Sequence, residues 1–337
     1  MKKVLTLVTV LLLIFTLSAC KSEDDGVITI GANIYTFNDN FMNGVVRPEL
    51  ERYATELGVE LDVVDSEGSQ ATLNNQVDTF ISKGVDVLAI NLVDPAAAGT
   101  IIEKAKDADI PLILFNKEAT VGGVMDTYDK VWYVGTNSAE AGIIQGEMMV
   151  SDWEANPAWD LNGDGVLQYV LLKGEPGHPD AEARTLESVK AFVDAGITVE
   201  ELALQPSTTW STTEAGETMA SWLTTAFADS IELVICNNDG MAFGAIQSMS
   251  NAGYDIPVYG VDALEEALAK IGTGDMNGTV LNDGVMQARA TLDLAVNAAN
   301  GVGIVDGTTW VLDKPTGTKA VRVAYVAVTP DNYSDFQ

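Results

Sequence analysis

Two neighbouring stretches of the chain carry residues spaced for chemistry. The first is Asp160-Leu161-Asn162-Gly163-Asp164-Gly165-Val166-Leu167-Gln168. Calcium takes 6–8 oxygen ligands, and a loop that offers them at alternate positions can wrap the ion. Asp160, Asn162, Asp164 and Gln168 bring side-chain oxygens at such positions, Val166 brings a backbone carbonyl, and Gly165 stands where the sharp turn is needed. The acidic residue that normally ends such a loop is missing, with Leu171 in its place. A carboxylate from elsewhere would have to complete the cage. The plainer reading is an Asx-rich turn with no ion.

The second stretch, Gly174-Glu175-Pro176-Gly177-His178-Pro179-Asp180-Ala181-Glu182-Ala183-Arg184, holds the only histidine of the chain. A neutral sugar offers hydroxyls that both donate and accept, together with apolar C–H faces. Its site needs carboxylates, amides, an arginine and aromatic plates. Asp39, Asn116, His178, Asp180, Arg184, Asn238, Asp262 and Asn282 are suitable polar groups, and Phe41 and Trp210 are candidate plates. Each also has a structural reading. Asp180 and Arg184 are four apart and could be a surface pair at a helix start. His178 could be an exposed loop residue, and Trp210 a lid over core.

Positioning these groups is the work of a β-α alternation. Strands are expected at 27–32, 61–64, 85–91, 110–116 and 131–135, then at 167–172, 198–204, 231–237 and 258–261. Helices are expected at 41–57, 72–83, 95–108, 181–195, 213–228 and 241–252. Short β-branched runs of this kind read as strands buried on both faces, so the fold class is α/β with parallel sheets. Two series imply two doubly wound lobes meeting near Gly135-Thr136-Asn137. Ligands of open α/β sheets bind beyond the carboxyl ends of strands. Asp39, Asn116, His178, the Asn237-Asn238-Asp239 group and Asp262 all follow expected strands, which makes a common polar edge.

The first twenty residues are an export signal: Lys2 and Lys3, an apolar run from Val4 to Leu17, then Ser18-Ala19-Cys20. The order Leu17-Ser18-Ala19-Cys20 resembles a bacterial lipobox, which makes Cys20 the lipid-attachment residue and residues 21–26 a solvated tether. The alternative is an ordinary secretory signal. The expected location is outside the cytoplasm, anchored at the outer face of the cell membrane or periplasmic, with the lipid as the only membrane contact. Cys236 then has no disulfide partner, and in Leu233-Val234-Ile235-Cys236 it reads as a small core residue. Without the first twenty of its 337 residues the chain keeps 16 basic against 49 acidic side chains, a formal charge of −33. Such a field repels nucleic acid and anionic ligands. It suits a soluble protein that binds a neutral molecule or a cation.

With these residues in view, Leu92-Val93-Asp94-Pro95-Ala96-Ala97-Ala98-Gly99, Leu172 through Arg184, and Gly260-Val261-Asp262-Ala263-Leu264 resemble the bacterial galactose/glucose-binding protein family, within the type I periplasmic binding proteins. The resemblance runs from about Ile28 to Tyr325. It implies two α/β lobes joined by a three-segment hinge, with residues 27–135 plus 283–321 in one lobe and 136–282 plus 322–337 in the other. It implies further that the eight polar residues named above hydrogen-bond one glucose or galactose, with Phe41 and Trp210 against its ring. Asp39 would contact the hydroxyl that distinguishes the two epimers. The family's calcium loop takes its last carboxylate from a distant strand, and Glu232 stands at that position. The implied partner is the permease of an ABC importer, with the binding protein monomeric; chemoreceptor docking occurs in the family, but its surface residues are not recognisable here. The lipid anchor and the Val121-Gly122-Gly123-Val124 loop depart from a freely diffusing relative.

Two rivals were weighed. Asp39, Asp180 and Asp262 could form the carboxylate pair of a glycoside-acting enzyme. Against this, no carboxylate sits in an obviously apolar surrounding that would raise its pKa, and the amide-rich set favours grip over proton transfer. A sugar-responsive repressor shares the fold, but the export signal, the charge and the lack of a basic headpiece argue against it.

Overall fold

The computed structural model describes residues 26–313 and 319–337. The export signal, Cys20 and nearly all of the tether lie outside them. Among the described residues no helix is long and apolar enough to cross a membrane.

The first lobe is a six-stranded parallel sheet: β1 (Thr29–Ile34), β2 (Glu60–Asp65), β3 (Val87–Ile90), β4 (Leu112–Phe115), β5 (Val131–Gly135) and, from the far end of the chain, β11 (Ala320–Arg322). Their order is β11-β5-β4-β3-β1-β2. The second lobe holds β6 (Val166–Lys173), β7 (Thr198–Pro206), β8 (Leu233–Cys236) and β9 (Val258–Tyr259) in the order β7-β6-β8-β9. Parallel bridges Tyr259–Gly278 and Asp262–Leu281 extend it toward β10 (Thr279–Leu281), which pairs antiparallel with β12 (Val326–Val328). Central strands such as Val87–Ile90, Leu112–Phe115 and Leu233–Cys236 are buried at every residue. Helices cover both faces of each sheet, so the continuous apolar runs reflect two-sided burial.

The chain passes between lobes three times. It leaves the first sheet after Gly135 into helix α4 (Ser138–Ala155). It returns between β10 and helix α9 (Gly284–Ala299), which packs on β3 and β4. It crosses again between Arg322, still in register with Gly135, and Val326 on β12. The strand order reverses between β1 and β3 in one sheet and between β6 and β8 in the other. The loops at those two reversals face each other across the cleft, which is where open α/β sheets take ligands.

Two expected elements differ for identifiable reasons. The helix expected over 41–57 is a π-type turn, Met42–Val46, followed by α1 (Arg47–Leu57). Pro48 has no N–H to close the regular bond at this point. The helix expected over 213–228 stops at Trp222 as α6 (Thr212–Trp222). The hydroxyls of Thr224 and Thr225 donate to the carbonyls of Ser221 and Trp222, and such local bonds compete with helix continuation. Helices α4, α9 and α8 (Glu265–Thr273) were not anticipated from sequence. Both α4 and α9 bury Ala, Gly and Gln, which weakens the apolar stripe that would announce them.

Candidate functional site

A tight cavity of about 30 Å³ lies between the lobes, lined by Asp39, Phe41, Asn116, His178, Asp180, Arg184, Trp210, Asn238, Asp262 and Asn282, with Tyr35 and Met42. All ten residues singled out in the sequence as a polar cleft with aromatic plates are therefore brought together. Each is buried. Asp180 and Arg184 are not a surface pair, nor is His178 an exposed loop residue. Tyr35 and Met42 were missed. Tyr35 directly follows the conspicuous first strand, so strand-end position was the available signal.

Local structure aims these groups. Asp39 accepts from the amide of Met42 (2.8 Å) and from the Tyr35 hydroxyl (2.6 Å). Asn238 is the N-cap of α7 (Asp239–Ala252), its Oδ1 accepting from Met241 N while its Nδ2 reaches the Trp210 carbonyl at 3.4 Å. His178 caps α5 (Pro179–Asp194): its Nδ1 accepts from Asp180 N at 3.1 Å, which leaves Nε2 to carry the proton. Burial, then the nearby charges of Lys117 and Arg184, hold its pKa well below the usual histidine value, so the imidazole is neutral.

Arg184 is the charged centre of the cavity. Its Nη1 donates to the Asn237 carbonyl (2.8 Å), and its Nη2 donates to the Tyr325 hydroxyl (3.0 Å) and reaches Asp180 Oδ2 at 3.4 Å. Its Nε is buried with no partner. A buried donor without a partner is costly, and here it belongs to a cavity-lining side chain.

The aromatic plates each rest on a glycine. A Cβ on Gly174 would lie 2.2 Å from the Trp210 ring, and one on Gly284 would lie 2.9 Å from the Phe41 ring. Trp210 also meets His178 edge to face, with centroids 5.2 Å apart. Asn116, Trp210 and Asp262 all have positive φ (61°, 55° and 130°). Non-glycine residues rarely adopt such angles, and strain of this kind clusters at ligand sites.

One expectation needs correction. Burial raises Asp262 well above the usual carboxylate range, and burial raises the adjacent Asp239 to about 6. The short apolar strands before Asp239 and Asp262 gave no hint that these residues are sealed from solvent. Asn282 Nδ2 donates to Asp262 Oδ1 at 3.2 Å, and Thr279 donates to Asp239 at 2.6 Å. A larger concavity of about 730 Å³ lies behind the hinge, near Glu118, Asn137 and Asp313. Its cation, Arg322, is already engaged by Glu118 and the Thr136 carbonyl.

Away from the cleft, the Asp160–Gln168 loop folds on itself. Asp160 accepts from the amides of Gly163, Asp164 and Gly165, and Asp164 accepts from Val166 N and from the side-chain amides of Asn162 and Gln168. Glu232, just before β8, reaches the loop and accepts from Leu161 N (2.7 Å) and Gln168 N (2.9 Å). Burial raises its pKa, and the charges of Asp160 and Asp164 raise it further. Three carboxylates thus share one locality. Gln168 Oε1 is buried there with no partner. An all-oxygen set with an orphaned acceptor suits a hard cation. Among the described residues, no group of three or more acids, imidazoles or thiols is already gathered at a metal-holding spacing. The acids instead satisfy the loop's own amides. Cys236 is buried and free, as a core residue would be.

Comparison with known proteins adds an independent line. The signature of the periplasmic binding protein domain family matches residues 30–302. The chain is 46% identical to the D-galactose/methyl-galactoside binding periplasmic protein MglB of Haemophilus influenzae over 308 residues, 91% of each chain. It is 28% identical to a putative rhizopine-binding protein of Rhizobium meliloti, covering 92% of each. Among solved structures, an ABC transporter solute binding protein of Bacillus halodurans with bound myo-inositol superposes with a TM-score of 0.73 at 27% identity, covering 94% of this chain and 99% of that one.

Proposed function

The chain belongs to the periplasmic binding protein domain family, and from that premise we propose that it captures D-glucose or D-galactose between its lobes for delivery to an ABC importer. It is a binding protein rather than an enzyme, in keeping with relatives named for the solutes they bind. The observation that carries the reading is the interlobe cavity itself. It gathers carboxylates, amides, a neutral imidazole, an arginine and two aromatic side chains from both lobes. No anion-binding cluster of cations is present in that lining, which fits an uncharged ligand. Asp39, Asn116 and Phe41 come from the first lobe, and His178, Asp180, Arg184, Trp210, Asn238 and Asp262 from the second. Asn282 lies at a crossing between them.

A pyranose bridging the two sets favours the closed arrangement by its differential affinity for it. The Arg184 Nε and the His178 Nε2–H donate to sugar hydroxyls, and the carboxylates accept from them. Asp39, held by Tyr35 and the Met42 amide, accepts from the hydroxyl whose orientation separates the two epimers. Phe41 and Trp210 cover the apolar C–H faces. The closed form then docks on the importer permease as a monomer.

The second site is read as structural. When bound, calcium would cross-link the loop to the strand behind it. Asp160, Asn162, Asp164, the Val166 carbonyl, Gln168 and Glu232 would hold it. Cys20 would carry the lipid anchor that keeps the protein at the membrane face.

A thermal-shift panel of monosaccharides, with and without a chelator, tests both sites. The expected result is a large rise in melting temperature for glucose and galactose, little for pentoses or anionic sugars, and a lower melting point with chelator. A panel in which no hexose raises the melting temperature would overturn the sugar reading. A chelator-insensitive melt would overturn the calcium reading alone.

A further inference from the structure

We infer that Lys117 and Glu175 set the sugar affinity from outside the sugar cavity, as an ion pair between the lobes that favours the closed arrangement. The inference rests on the sugar-binding reading for its affinity arm only. Lys117 follows β4 in the first sheet, and Glu175 follows β6 in the second. Lys117 Nζ lies 2.6 Å from Glu175 Oε2. Neither residue lines the cavity.

The environment of Lys117 makes the pair consequential. Its side chain is 1% exposed against 27% for Glu175. Its ammonium sits 3.7 Å over the Tyr35 ring and donates to the Val93 carbonyl at 3.3 Å. Tyr35, Val93 and Lys117 all belong to the first lobe. Opening the cleft therefore leaves the Tyr35 ring and the Val93 carbonyl with the cation and takes away its counterion, Glu175. The pair is made only when the lobes meet, and its attraction in a setting nearly closed to water accrues to the closed state. Burial lowers the Lys117 pKa; Glu175 opposes this most, with Asp39 and Asp94 adding to it. By contrast, the Asn40–Thr212 contact across the same cleft is 3.5 Å long and exposed. Apparent affinity scales with the fraction of molecules in the binding-competent arrangement. A pair that raises this fraction tightens binding without touching the sugar.

The test uses Glu175→Gln, Lys117→Met and the double variant. Calorimetry with glucose and galactose should show each single variant binding about 10-fold more weakly, equivalent to about 1.4 kcal/mol. The double variant should be no more than about 3-fold weaker than either single one, because both remove the same interaction. Small-angle scattering should show a larger radius of gyration for the ligand-free variants than for the ligand-free parent, and equal radii once saturated with sugar. Unchanged affinity in Glu175→Gln, multiplying losses in the double variant, or unchanged ligand-free radii would each overturn the inference. Should Lys117→Met not fold, Glu175→Gln decides alone through affinity and radius. If the parent binds neither hexose, the sugar reading fails, while the ligand-free radii still decide the role of the pair.

Discussion

The interlobe cavity and the Asp160–Gln168 loop solve the same problem, holding oxygen-rich chemistry in place, by opposite means. The cavity draws its residues from loops as far apart as Asp39 and Asn282, and it buries all of them. The loop gathers its groups within nine consecutive residues plus Glu232, and most of it stays exposed. In the cavity several polar groups are tied to distant parts of the chain: Arg184 to Tyr325 and Asn237, Asp262 to Asn282, and Asn116 to Asn91. In the loop, the acids bind amides a few residues away. A change in the cavity therefore propagates to both lobes, whereas a change in the loop should stay local.

Arg184→Met should break this contrast most severely. Removing one partner of a buried, hydrogen-bonded charge cluster costs about 3–5 kcal/mol, and here the loss falls on folding and binding together. Asp180 and Asp262 would lose the cation beside them, and the Tyr325 hydroxyl would lose a donor near the hinge. Hexose affinity measured by calorimetry should drop at least 100-fold, and the melting temperature should fall as well. A variant that keeps affinity within a few-fold would show that the guanidinium serves the fold alone.

Glu232→Gln should sharpen the contrast with a smaller effect. Ligand present at about 100 times its dissociation constant contributes about 2.7 kcal/mol to folding. At about 2–4 °C per kcal/mol for a unit of this size, the melting temperature in calcium should fall by roughly 5 °C or more. Chelator should then have little further effect. Hexose affinity should stay within about 2-fold of the parent. A tenfold loss of affinity would mean that the loop and the cavity are coupled through β6 and β8, and the two regions could no longer be treated as independent.

The same contrast explains what the sequence made legible. The loop could be read by spacing alone, because its geometry is local. Its partner Glu232 could not, since 64 positions separate it from the Gln168 amide that it holds. The cavity residues were legible as strand-end polar groups once the β-α alternation was recognised, because the carboxyl ends of parallel strands share an edge. What the pattern could not reveal was depth. Nothing around Asp262 or Asp239 distinguishes a carboxyl sealed from solvent from one in a wet turn. Lys117 carries no sequence signal of its depth either, although its ammonium is almost fully enclosed by Tyr35, Val93 and Glu175. Helices such as α9, buried on most sides by Ala and Gln, lacked the one-faced stripe that sequence reasoning detects.

His178 offers the finest test of the cavity, because it is the only histidine in the chain and its ring protons can be followed by NMR without ambiguity. An exposed imidazole titrates near 6.5. Here burial comes first, with Lys117 and Arg184 adding to it, and the folded-state pKa is depressed. The ring resonance should show no inflection near pH 6.5. The unfolded chain still takes up a proton near its ordinary value. The stability contributed by keeping this ring neutral is therefore present above about pH 6.5, and it is lost as the pH falls toward the folded-state pKa. A resonance that titrates near 6.5 would place the imidazole in solvent, and with it the loop from Gly174 to Arg184. The cavity would then resemble the exposed Asp160–Gln168 loop in its openness, and the division between a sealed site and a wet one would collapse.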